Sequence, residues 1–408
     1  MTIAFIPPPD HWPDRYRQRA RQRLSQWAGD SEVRTFSDQG AIQRELAEAN
    51  PQKIVFWSGF DISILPKTEA RLYRVDPSGV IAPHDQILSE EDHPNLRNTT
   101  FGRLGGARDS EFKFFPYGLM GVHSGRGELD ELGFRIHGNF NDLVEREAHQ
   151  RVIAVYGGST AFSTHCFDDE TFASRLETIL NQKAVETNSG HEYRVLNFGQ
   201  VGAVTLHNII CWTLYGIHLK PEVVICHSGW NDLCLGLGCD PVLLAEYHIS
   251  YLYQFEEWAK ILHGTHEGSA NPGRPLKILN APEDVVEAWL SRIKQFADLV
   301  SGMGSQCFLG LQPAACSKSE MHPNEKAIIE RGANNPDLRL AFEKMPALLD
   351  MASLRLEESD IDPNRRIDFH DSFRAYDGTC ELFADRVHCW PEGDEIIARG
   401  YAELIWRS

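Results

Sequence analysis

From Arg151 onward, short apolar runs alternate with longer segments whose apolar residues recur every three or four positions. Arg151–Tyr156 reads as a strand closed by the turn Gly157-Gly158-Ser159, and Glu170–Leu180 as an amphipathic helix. Tyr193–Phe198 is a second strand, ending at Gly199 and Gly202, and Leu206–Leu219 a helix. Glu222–His227 is a third strand, followed by Ser228-Gly229. Two helices are predicted over Pro241–His263 and Pro282–Met303, with Gly264–Pro275 a loop between them. Gln306–Leu311 is a strand, Leu338–Glu358 a helix, Arg366–Phe369 a last strand and Glu395–Ile405 a terminal amphipathic helix. Strands that alternate with helices imply a parallel sheet covered on both faces, with ligand sites at the carboxyl ends of its strands.

The first 60 residues show the same rhythm on a smaller scale. Ile3–Ile6, Glu32–Phe36 and Lys53–Trp57 read as strands, and Pro13–Trp27 and Ala41–Ala49 as helices. They form a small α/β subdomain without a glycine-rich phosphate loop, so no nucleotide is assigned to it. Residues 61–150 are rich in Pro, Gly and Asp and read as an ordered leader packing on the catalytic domain, because Phe112, Phe114, Phe115 and Tyr117 would not stay in water. The catalytic domain is expected over 151–408, with a helical insertion at about 240–304 that either shapes the substrate pocket or decorates the periphery.

A net charge of −18 argues against a nucleic-acid partner and an anionic membrane surface. The one basic cluster, Arg15, Arg17, Arg19, Arg21 and Arg23, spreads around a helix and reads as solvated. The nine cysteines suggest no disulfide framework, which fits a reducing compartment. With no signal-peptide pattern at the N-terminus and no long apolar run, a cytoplasmic protein is expected.

Candidate chemistry follows the strands. Asp385 stands three residues before His388, a spacing at which a carboxylate can hold Nδ1–H and leave Nε2 to accept a proton. Ser159 follows the first strand at a tight turn, where its hydroxyl and N–H are exposed at the sheet edge. Gly202 closes the second strand and lets backbone approach a substrate. Asn231, in Gly229-Trp230-Asn231-Asp232, offers a neutral oxyanion donor after the third. Each is ordinary alone; their order along one sheet is not.

With these four blocks the chain resembles the SGNH (GDSL-type) hydrolase and esterase superfamily over about 151–408, with Leu132-Gly133-Phe134-Arg135 similar to the family's lead-in. The resemblance implies a three-layer flavodoxin-like sandwich with a central parallel sheet. It implies Ser159 as nucleophile, His388 as base and Asp385 as its orienting acid, with an oxyanion hole of Ser159 N–H, Gly202 N–H and the Asn231 side chain. Two departures stand out: Gly158 replaces the family's Asp before the serine, and Ser163 stands where glycine is common.

The expected function is hydrolysis of an ester, such as a short acyl group on a sugar or small metabolite, through an acyl-enzyme. An O- or N-acyltransferase using the same intermediate and a binding protein on the same scaffold are the alternatives. No cofactor or metal is assigned. Cys226, His227, Cys234 and Cys239 lack the spacing of a zinc site. Cys166 is a weaker nucleophile candidate, Asp168 and Asp169 are expected to cap the following helix, and His370-Asp371 is a rival acid–base element.

Overall fold

The computed structural model describes residues 2–7, 14–36, 42–57, 65, 70–75, 81–83, 112–115, 119–122, 134–136, 144–238, 280–331 and 339–408. The chain divides into two compact units, one formed by 1–110 with 124–126 and the other by 111–123 with 127–408.

In the first unit, β1 (Thr2–Ile6) lies between β2 (Glu32–Thr35) and β3 (Lys53–Trp57), all parallel. Sequence analysis ended this subdomain at residue 60. The sheet runs further: β4 (Arg71–Val75) pairs parallel to β3, and β5 (Ile81–Pro83) returns antiparallel on β4. Arg71-Leu72-Tyr73-Arg74-Val75 is only five residues long and does not alternate cleanly, so it does not stand out in a Pro/Gly-rich context. The helix Asp14–Ala28 turns Ala20, Leu24 and Ala28 onto this sheet. Arg23 is buried beside them and donates to Gln26 at 2.8 Å, so the arginine cluster is not wholly solvated as expected.

The second unit opens with a hairpin, β6 (Phe112–Phe115) and β7 (Leu119–Val122), within the segment read as a leader. Tyr117 lies outside the described residues. The main sheet has β8 (Gln150–Gly157), β9 (Glu192–Asn197), β10 (Val223–Ser228), β11 (Gln306–Leu311) and β12 (Arg366–Asp368) in the spatial order β9-β8-β10-β11-β12. Every pairing is parallel. This is the flavodoxin-like 2-1-3-4-5 order of a doubly wound α/β sandwich.

The strand sequences explain the layering. Along β8, Val152, Ala154 and Tyr156 enter one core while Ile153 and Val155 enter the other. Burial on both faces requires an unbroken apolar run instead of alternation. On the first face lie the helices Pro282–Gly302 and Arg339–Glu358, with Trp289, Phe296, Met345 and Leu349. On the second lie Phe172–Glu186 and Pro391–Arg407, with Leu176, Leu180, Ile397 and Tyr401. The segment predicted as one helix from Leu206 widens into a π-helical turn at Trp212–Gly216.

The helix Pro282–Gly302 settles part of the insertion question. It is the crossover between the parallel strands β10 and β11, which such strands require. It is neither decoration nor surplus to the sheet. The other helix, read over Pro241–His263, lies outside the described residues. Trp289 is 2% exposed in this layer. Trp289→Ala is therefore expected to destabilise the protein by about 3–5 kcal/mol in denaturant titration, where a peripheral helix would lose under 1 kcal/mol.

Candidate active site

The turn after β8 delivers Ser159 into the four-residue helix Ser159–Phe162. The acid–base segment arrives from the far end of the chain. Phe383 bridges Cys389, and Ala384 N–H donates to the His388 carbonyl at 2.8 Å, closing a narrow loop that carries 385–388. Across it, Ser159 Oγ lies 2.6 Å from His388 Nε2, and His388 Nδ1 lies 2.7 Å from Asp385 Oδ2. Asp385 Oδ1 accepts the N–H groups of Val387 and His388, each at 2.9 Å. Burial alone would raise the Asp385 carboxyl. The His388 charge, with the contacts from His165 and His388, outweighs it and holds the group well below the usual carboxylate range.

Asn231 joins the same place. Its Nδ2 donates to the Ala203 carbonyl at 2.9 Å, which fixes the amide plane and leaves a second N–H to aim elsewhere. A Cβ built on Gly158 would stand 2.8 Å from Asn231 Nδ2. The side chain thus leans over the residue before Ser159, and this close approach explains why glycine occupies 158. Gly229, at φ +140°, starts the helix that carries Asn231, in a conformation L side chains rarely adopt. Gly202, at φ +77°, lies in the turn that Gln200 ties to β8 through the Gly157 carbonyl at 3.0 Å. All five residues picked from the sequence therefore sit on loops at the carboxyl edge of one sheet.

Several further residues support the site, Asp232 and Arg135 from the motifs noted in the sequence, and Lys318 and Glu325 with no sequence signal of their own. Asp232 accepts Thr205 N–H at 3.0 Å and ties the Gly202 turn to the Asn231 helix; burial pushes its carboxyl up to about 6. Arg135 is buried and donates to the carbonyls of Phe162, Ser163 and Cys166, with Nε on Asp168 at 2.6 Å. It clamps the segment after Ser159, where Ser163 takes a left-handed φ of 60°. Lys318 and Glu325 form a buried pair at 2.7 Å. Glu325 Oε1 accepts Leu382 and Phe383 N–H at 2.7 and 3.0 Å, and Lys318 donates to the Cys380 carbonyl. That pair anchors the start of the acid–base loop.

Other candidates resolve differently from expectation. The helix Phe172–Glu186 is capped by Thr171 and by Asp394 Oδ2, which accepts Phe172 N–H at 3.1 Å, instead of by Asp168 or Asp169. Cys166 is buried with its thiol 3.4 Å from Asp394 Oδ2. His370 is not paired with Asp371: its Nδ1 meets Ser317 Oγ at 2.7 Å and its Nε2 meets Asp350 Oδ1 at 2.9 Å. Ser317 Oγ also accepts Ala314 N–H at 2.9 Å, and Asp350, which is more than half exposed, also pairs with Arg374. His227 bonds Tyr401 Oη at 3.0 Å, and burial pushes it down to about 3. Burial pushes the Cys226 thiol up to about 12. Cys239 lies outside the described residues. Among the described residues, the one group of three with metal-ligand spacing is His165, Asp385 and His388, which contains the acid–base pair itself.

No family model and no curated protein matches the sequence. The solved structures similar in fold include the following three. One is an acetyl xylan esterase, AlAXEase, at 15% identity and TM-score 0.31, covering 63% of this chain and 98% of that one. Another is Axe2, an acetylxylan esterase from Geobacillus stearothermophilus, at 13% identity and TM-score 0.34, covering 62% and 94%. The third is described as a lipolytic protein of the G-D-S-L family from Desulfitobacterium hafniense DCB-2, at 11% identity and TM-score 0.33, covering 62% and 98%.

Asp394 yields a pH prediction. Burial raises its carboxyl from 3.8 to about 7, against the opposing Ser163, Cys166 and Phe172 donors. Between those values the folded protein holds a proton the unfolded chain has lost, so this group's contribution to stability falls as pH rises from about 4 to about 7. Asp394→Asn removes that loss. In thermal melts from pH 4 to 8, the Tm of Asp394→Asn relative to wild type should climb with pH and level off above pH 7. A difference that stays flat or declines would contradict the assignment.

Proposed function

We propose that this protein is a serine esterase that works through an acyl-enzyme. The observation that carries the reading is the unbroken line from Asp385 Oδ2 to His388 Nδ1 at 2.7 Å and from His388 Nε2 to Ser159 Oγ at 2.6 Å. In that line His388 takes the Ser159 proton as Oγ attacks the ester carbonyl, and Asp385 holds the ring and balances the imidazolium. Ser159 N–H, Gly202 N–H and the second N–H of Asn231 receive the oxyanion. His388 then protonates the departing alcohol, and water, deprotonated by the same ring, releases the acid.

The Asn231 amide is already oriented by Ala203, so it needs no reorganisation when charge develops on the carbonyl oxygen. The acyl and alcohol parts, a short acyl group such as acetyl on a sugar or small metabolite, follow from the family resemblance alone. No helix among the described residues is long and apolar enough to cross a membrane.

Ser159→Ala should abolish hydrolysis of p-nitrophenyl acetate, and Asn231→Ala should lower kcat by roughly 100–1000-fold with a smaller change in KM. Undiminished turnover by purified Ser159→Ala would refute the nucleophile. Turnover only on addition of a sugar or amine acceptor would replace the hydrolase reading by a transferase one.

A further inference from the structure

A buried histidine outside the proposed triad faces its acid. His165 lies six residues after Ser159 on the segment that Arg135 clamps through the Phe162, Ser163 and Cys166 carbonyls. The side chain is 4% exposed, with Nε2 3.7 Å from Asp385 Oδ2. Its ring meets the His388 ring edge-on at 5.6 Å between centroids and the Trp390 ring at 5.7 Å.

The two carboxylate oxygens of Asp385 therefore have different surroundings. Oδ1 is filled by two backbone N–H groups. Oδ2, the oxygen that serves His388, is faced by two imidazoles, one at 2.7 Å and one at 3.7 Å. The geometry points to His165 as a positioning residue of the proposed acyl-transfer site, a reading on which this inference rests. It acts on Asp385 and never touches substrate. It stands beside His388 at Oδ2, the two rings meeting edge-on, so the carboxylate stays aimed at Nδ1. It also shares the carboxylate's charge, so that Asp385 does not serve His388 alone. Around it lie His388, on the same loop as Asp385, and on its own segment Cys166, whose thiol reaches Asp394 of the terminal helix.

His165→Phe keeps the ring volume and removes the donor. In that variant Asp385 serves His388 alone, His388 becomes more basic, and the acidic limb of the kcat/KM profile moves to higher pH by on the order of half a unit. Loss of aim lowers kcat by roughly 10–100-fold with KM little changed. His165→Gln, whose amide N–H can face Oδ2, should restore most of the rate and return the limb. The same shift should appear without turnover, as a raised His388 titration midpoint by NMR in Ser159→Ala carrying His165→Phe. That readout separates this inference from the esterase reading, because it persists even if the protein hydrolyses no ester. An unmoved His388 midpoint in His165→Phe, or a His165→Gln variant as impaired as His165→Phe, would overturn the role.

Discussion

The 2.6 Å contact between Ser159 Oγ and His388 Nε2 joins residues 229 positions apart, and most of the second unit is organised so that it can form. A hydrogen bond of that length tolerates only a few tenths of an ångström of error at either end. Ser159 is set by β8, the central strand of the sheet's first half, whose two faces are both buried. His388 has no strand of its own to ride on. Its position depends on a loop, and loops must be fixed by side chains where backbone ladders are absent.

Three buried groups do that fixing: the Glu325–Lys318 pair, the Asp394 carboxyl and the Arg135 guanidinium. Glu325, neutralised by Lys318, gathers the N–H groups of Leu382 and Phe383 at the start of the loop. Asp394 takes Phe172 N–H and so ties the terminal helix, which follows His388 directly, to the helix that packs beside β8. Arg135 holds the segment behind Ser159 from the other side. Burying such charges is costly unless every lone pair and N–H finds a partner. Here the partners are mostly backbone groups of loops that would otherwise be left unsatisfied. The cost of the charge and the disorder of the loop are thus relieved by the same bonds. The result is a rigid edge on which the Asn231 amide, the Gly202 turn and the Ser159 turn keep fixed relative positions.

This arrangement also accounts for the glycine at 158. A Cβ there would stand 2.8 Å from the Asn231 amide nitrogen. The missing side chain is a packing solution between two turns.

The sequence by itself determined β8, β10 and β11, because a strand buried on both faces must be an apolar run and such runs are visible without partners. It also singled out Ser159, Gly202, Asn231, Asp385 and His388, which each follow or flank an element whose pattern is local, with Asp385 and His388 three residues apart. The tertiary structure alone decided what faces these residues. His165 looks like any loop histidine until Asp385 arrives 3.7 Å away, and Asp394 looks like a surface helix residue until Phe172 N–H points at it. His370 found its acid in Asp350 and not in the adjacent Asp371, since neighbours in sequence point their side chains apart. The reason is the same in each case. Periodicity encodes which side of an element is apolar, whereas a buried polar group is defined by its partner, and the partner's distance in sequence leaves no trace in local pattern.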